Sequence, residues 1–363
     1  MNDATTTAAT STSSDTTSVS RSNPARARWL SSGVVLIVLL ILPNVLSSTW
    51  TTKVSGWFPM AIAALALALL TGFNGQISLG HGALYGVGAY AAGISINEWG
   101  FPYLGAMVFA TVVTFCVGIV IGLPALRIKG MHLALVTVTV AVLFPQFLNQ
   151  FDSITGGTTG LTVGSMQLNN RGVEVLRSIE FTAPEWTGLA SDQWRYYWLL
   201  AFAVLAIFVA RNVVNSRTGR AMVAIRDNET AAAVSGINVA ATKVFTFGLS
   251  SALAGLAGSL FMLQLATNKA NLASGSFGLQ LSLYLLVAVV IGGSQSIAGP
   301  LIGTFIIVFF RDVIQPELPK RIHEIMPLLF GISLITTMFA GPGGIVGQFR
   351  HGVHKIHARR HKS

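Results

Sequence analysis

Apolar positions in this chain come in long blocks, not in alternation. Trp29–Ser48, Trp57–Phe73, Leu104–Leu126, Met131–Phe151, Val244–Ala266 and Ile325–Ala340 contain no Asp, Glu, Lys or Arg. Most reach or approach the roughly 20 residues that an α-helix needs to cross a bilayer. The pattern predicts an all-α polytopic membrane protein with about ten transmembrane or re-entrant helices. They fall near 29–48, 57–73, 76–96, 103–126, 131–151, 194–212, 243–266, 278–293, 298–314 and 324–341.

Two of these blocks are interrupted by small and polar residues. Asn74–Gly93 reads NGQISLGHGALYGVGAYAAG. Asn74, Gly75 and Gln76 suit a break, and a helix starting near Ser78 would point its free N–H groups and positive dipole end at that break. Gly82 and Gly86 lie one turn apart, which permits close backbone approach. Val290–Gly303 reads VIGGSQSIAGPLIG, with Gly292-Gly293 and Gly299-Pro300 between apolar runs. Either stretch serves tight helix packing or a short turn; polar, broken spans in separate halves are also where transporters build solute pathways. Asn74, Gln76, Ser78, His81, Gly82, Gly86, Gly292, Gly293, Gly299 and Pro300 are therefore the pathway candidates. For His81 two roles stand open, a neutral imidazole bonded to a neighbouring helix and a solute contact.

Charge supports the membrane reading and orients it. Charged residues make up 10% of the chain and mean hydropathy is +0.65, against roughly 25% charged in soluble proteins. Residues 1–28 form a Ser/Thr-rich stretch expected to be a disordered cytoplasmic tail, ending in Arg21, Arg26 and Arg28. No small-residue cleavage site follows Pro43, so the first span is expected to remain uncleaved. With the N-terminus inside, fifteen of the 23 Lys/Arg fall on cytoplasmic segments and nine of the thirteen Asp/Glu outside, as the positive-inside rule requires. The net charge of +10 thus reads as topology, not as nucleic-acid binding. The membrane-spanning body is expected over 29–347, with an external loop at 152–193, a cytoplasmic loop at 212–242 and both termini in the cytoplasm. Residues 348–363 form a basic tail with four histidines, for which attraction to anionic lipid is a simpler account than metal.

The sequence offers little catalytic chemistry. Cys116 is the single cysteine, and no HExxH, GxSxG or phosphate-binding loop occurs. No acid–base or metal constellation supports an enzyme. Carboxylates sit at span ends (Glu98, Asp152, Asp312, Glu324), so a proton relay lacks its usual groups. Energy for uphill transport must come from another subunit; an ATP-independent secondary transporter or channel is the rival from another class.

The cytoplasmic stretch Asn215–Asn238 reads NSRTGRAMVAIRDNETAAAVSGIN. Asn228 is a good N-cap, Ala231–Ala233 favour helix and Gly236 suits a C-terminal stop. That specifies a two-turn helix too short to stand alone in water. It either rests on lipid headgroups or plugs a groove in a soluble partner. The order RDNETAAAVSGIN resembles the "EAA" coupling loop of bacterial ABC-importer permeases, with Glu229 one place earlier than the general motif. NGQISLGHGALYGVGAY, GLPALRIKGMHLALVTV, TGGTTGL and GGSQSIAGPLIG resemble the LivM-type permeases of the branched-chain amino-acid family, in family order. The resemblance implies half of an importer's channel, without cofactor in this chain. The implied partners are a paralogous permease subunit, two cytoplasmic ATP-binding subunits and an external solute-binding protein, all at a bacterial inner membrane. Arg226, Asp227, Glu229, Ala231, Ala232 and Gly236 would then pass nucleotide-driven motion to the channel. The outer run Thr155–Gly160 would either help dock the binding protein or form plain surface. Leu, Ile and Val are the implied solutes; urea, short amides or another small organic solute are the rivals within the family.

Overall fold

A computed structural model describes residues 24–124, 131–163, 167–168, 174–175, 181, 183–265, 270–319, 325–340 and 343–348. Residues 1–23, the basic stretch 125–130 and the histidine-rich end lie outside the described residues; Pro24–Arg28, expected in the tail, instead begin the first helix.

Each of the ten expected spans coincides with a helix. They are α1 (Pro24–Val45), α2 (Ser48–Ser55) running into α3 (Trp57–Ala68), α4 (His81–Trp99), α5 (Tyr103–Gly122), α6 (Met131–Gln150), α7 (Ser191–Asn215), α10 (Val239–Leu265), α11 (Leu279–Gly292), α12 (Ala298–Phe309) and α13 (Met326–Ala340), with α8 (Arg217–Asp227) and α9 (Glu229–Val234) between α7 and α10. Among the described residues seven helical stretches are long and apolar enough to cross a membrane, and Gly33–Val45 and Leu328–Thr337 are shorter apolar helices. Among the described residues two short β-ladders are the exceptions to an all-α fold.

The first helix forms a unit of its own (Met1–Val45). Its Val34, Val35, Ile37, Val38 and Ile41 are exposed, as suits a helix whose solvent is lipid.

In the second unit two spans are central. The apolar window of Ser48–Phe73 is 83% buried and that of Val239–Leu265 is 72% buried, whereas Tyr103–Gly122 and Ser191–Asn215 reach 28%. Composition explains the difference. Ala61, Ala63, Ala64, Ala66 and Ala68 line α3, and α10 carries Ser250, Ser251, Ala254, Gly255, Ala257, Gly258 and Ser259, all buried. In lipid, small residues are what let helix backbones approach and gain packing. A Cβ at Gly88 of α4 would collide with the Gly255 backbone of α10, and one at Gly258 with the Tyr85 carbonyl. Tyr103 Oη donates to the Ser259 carbonyl at 2.8 Å, fixing α5 on the same helix.

At the opposite end from α8 and α9, the strand Leu161–Val163 pairs antiparallel with Ala270–Leu272. Tyr90 Oη donates to the Leu272 carbonyl at 2.5 Å and Asn97 Nδ2 to the Thr162 carbonyl at 3.0 Å. The long connection after α6 is thereby attached to the helices it overhangs.

Candidate functional site

The span α2–α3 ends in a π-helical turn, Leu69–Phe73, and the chain then runs without helix to His81. The helix α4 begins three residues later than the sequence implies. Leu79 N–H donates to Thr137 Oγ1 at 2.9 Å and Gly80 N–H to Ser78 Oγ at 3.4 Å. Side-chain acceptors satisfy the backbone there and postpone the helix. The Gly82 N–H, one of the donors expected to face the break, goes to Ser282 Oγ at 2.9 Å.

Within the break Asn74, Gln76, Ser78 and His81 are all buried, with 2%, 6%, 0% and 0% exposure. Asn74 Nδ2 donates to Gln76 Oε1 at 3.0 Å, and Thr71 Oγ1 donates to the Gln76 carbonyl at 3.1 Å. Asn74 Oδ1 has no hydrogen-bond partner. His81 bridges elements. Its Nε2 lies 2.7 Å from Ser250 Oγ and its Nδ1 3.0 Å from Ser78 Oγ. Ser250 gives its own proton to the Ala66 carbonyl at 2.5 Å, so His81 must donate through Nε2–H and accept at Nδ1 from Ser78. One neutral imidazole therefore ties α3, α4 and α10 together. Gly86 packs against Phe144 and Phe277.

The second interrupted segment is a helical hairpin. The helices α11 and α12 pack antiparallel, and a Cβ at Gly292 would collide with the Gly299 carbonyl. Gly293 turns the chain at φ +111°, a conformation open to glycine and strained for other residues. Gly299 N–H donates to Ser296 Oγ at 2.9 Å, and Pro300 accepts from Thr304 Oγ1 at 2.7 Å. The structure brings the two interrupted segments together, since the Ser294 carbonyl of the hairpin abuts Gly72.

Residues of the 212–242 loop converge on the same place. Arg226, at the end of α8, donates from Nη1 to the Gly72 carbonyl at 2.9 Å and from Nε and Nη2 to Asp227 Oδ1 at 2.9 and 2.8 Å. Asn228 caps α9 by accepting from Ala231 N–H at 3.0 Å, and Gly236 follows the helix at φ +82°. Glu229 pairs with Lys243 Nζ at 2.9 Å, the lysine itself being buried. Ala232 is buried while Ala231 and Ala233 are exposed, and Val234 is 86% exposed. Sequence reasoning missed Val234 and Lys243. An apolar side chain in a polar loop and a lysine at the start of an apolar run were the available signals.

No group of three or more His, Cys, Asp or Glu that could hold a metal occurs among the described residues.

This architecture, with central helices of small residues, lipid-facing outer helices and broken spans meeting a structured loop, defines a polytopic α-helical membrane protein. Residues 52–338 match the family described as the branched-chain amino acid transport system permease component, and the chain belongs to that family. It is a transport subunit, not an enzyme. It is similar to the high-affinity branched-chain amino acid transport system permease proteins LivM of Salmonella typhimurium and of Escherichia coli K12, 28% identical over 299 residues in each case, covering 80% of this chain and 68% of each relative. The corresponding LivH protein of Escherichia coli K12 is 25% identical over 301 residues, covering 79% of this chain and 91% of the relative. No solved structure matches it significantly.

Proposed function

We propose that this chain is one of two unlike permease subunits in an ATP-driven importer of Leu, Ile and Val. The observation that carries the reading is the contact between Arg226 and the Gly72 carbonyl. It joins the loop expected to meet an ATPase directly to the break between α3 and α4. A push on α9 would reach α10 through Glu229 and Lys243 and the break through Arg226. Similarity to the LivM and LivH proteins supports a paired permease and the choice of solute. Two cytoplasmic ATP-binding subunits supply the energy, and an external solute-binding protein delivers the solute to the side bearing 152–193. The route passes the polar break at Asn74, Gln76 and Ser78.

The test is uptake of labelled leucine into proteoliposomes holding the co-purified complex, with and without internal ATP, and with urea as competitor. ATP-dependent uptake unaffected by urea is expected. ATP-dependent activity only toward urea or short amides would discard the branched-chain assignment and keep the importer. Uptake by this chain alone without ATP would discard the importer.

A further inference from the structure

A cavity of about 410 Å³ lies between α2–α3, α4, α10, α11 and the end of the α12 span, away from the His81 network. Its size falls within the roughly 300–1,000 Å³ of small-molecule sites. Two of its lining groups have hydrogen-bonding capacity that the fold leaves unused. Tyr85 is 1% exposed, yet its Oη has no hydrogen-bond partner. The aromatic rings of Phe261 and Phe277 hold it, with centroids 5.5 and 6.1 Å away. A buried hydroxyl without a partner is costly, and such groups in native folds call for an explanation.

Arg311 is the second. It lies in the π-helical turn Phe310–Ile314, inside the apolar span Ala298–Glu317. Its Nε and Nη2 bind Asp312 at 2.6 and 3.0 Å, and no hydrogen bond from Nη1 occurs among the described residues. A cation in a membrane span is expensive and usually functional. Met60, Phe261 and Phe277 supply apolar lining, and Gln264, Gln280 and Gln315 supply amide groups.

We propose that this cavity is a solute-binding chamber on the transport route, where Arg311 and the Tyr85 hydroxyl receive a carboxylate and Met60, Phe261 and Phe277 hold an apolar remainder. The inference rests on the permease reading and adds the site and its selecting group. A guanidinium and a phenol both donate, and such donors bind an anionic oxygen more strongly than the neutral carbonyl of urea or an amide. Asp312 is not among the lining residues and is engaged by Arg311 Nε and Nη2, which leaves Nη1 and the Tyr85 hydroxyl for the solute. An anionic lipid headgroup shares the carboxylate's chemistry, but Tyr85 lies deep between helices, which favours a free solute.

The experiment is the initial rate of ATP-dependent leucine uptake by the whole complex, with leucinamide as competitor, for the native chain, Tyr85→Phe and Arg311→Lys. Tyr85→Phe removes a hydroxyl that bonds to nothing in the protein, so the thermal unfolding midpoint should not move. Its KM for leucine should rise about tenfold, the effect of one hydrogen bond to a charged group. Arg311→Lys keeps the charge beside Asp312 and should raise KM less than Arg311→Gln. Leucinamide should compete poorly. Unchanged KM in Tyr85→Phe and Arg311→Lys, with ATP dependence intact, would overturn the chamber and leave the importer standing. ATP-independent uptake sensitive to both substitutions would overturn the importer and leave the chamber. A Tyr85→Phe effect seen only in vesicles containing anionic lipid would overturn the solute as occupant.

Discussion

The smallest decisive units here are single atoms that prevent or complete a contact. Helices α4 and α10 touch because neither Gly88 nor Gly255 carries a side chain. Gly88→Leu should therefore destabilise the protein by about 1–3 kcal/mol or more, since overpacking against backbone has no flexible neighbour to absorb it. Gly331→Leu is the control, because a Cβ there meets nothing within 4 Å. Thermal unfolding in detergent should lower the midpoint for the first and leave the second near the native value. The small residues of Asn74–Gly93 were legible as packing positions, since their spacing is local. Their opposite numbers were not. The partners His81 and Ser250 stand 169 residues apart, and no periodicity links them. The helix start was displaced for the same reason, because Thr137, the acceptor that holds Leu79, comes from another span.

At the scale of elements, the charge-free blocks made the spans readable, because the bilayer imposes both length and composition on a helix. The loop helix α9 was readable from its caps, and Asn228 and Gly236 take the roles their chemistry suggests. Which face it offers depends on packing and was not. Ala232 is turned inward at 4% exposure, whereas Val234 stands out. Val234→Asp should change stability by less than about 0.5 kcal/mol, as surface substitutions do, yet abolish ATP-dependent uptake by the complex. Ala232→Arg should instead lower the unfolding midpoint. Uptake at the native rate by Val234→Asp would show that α9 is not the docking element. The cavity beside Tyr85 and Arg311 was invisible in the sequence because several elements far apart in the chain build it. Arg311 beside Asp312 near the end of the span 298–314 was the available sign.

For the whole molecule, the 212–242 loop, the α11–α12 turn and the end of α3 gather at one end, through Arg226, Gly72 and Ser294. The ladder of Leu161–Val163 with Ala270–Leu272 marks the other end. Labelling checks the orientation. Cys116 is exposed on α5, facing lipid, so a membrane-impermeant maleimide should not react with the native chain in either vesicle orientation. In a Cys116→Ser background, Ser235→Cys should react only in inverted vesicles and Ala190→Cys only in intact cells. The reverse pattern would turn the molecule over.

The ladder of Leu161–Val163 with Ala270–Leu272 has a mechanical consequence. Its three residue pairs are held to α4 by Tyr90 and Asn97, and the next turn, Ser274–Phe277, is pinned to α6 through Ser274 and Asn149 at 3.0 Å. A flap would have to shear the ladder and all three side-chain bonds in one step. This stretch is a rim, fixed to the frame it borders, and any opening beneath it is a displacement of helices that carries the rim along.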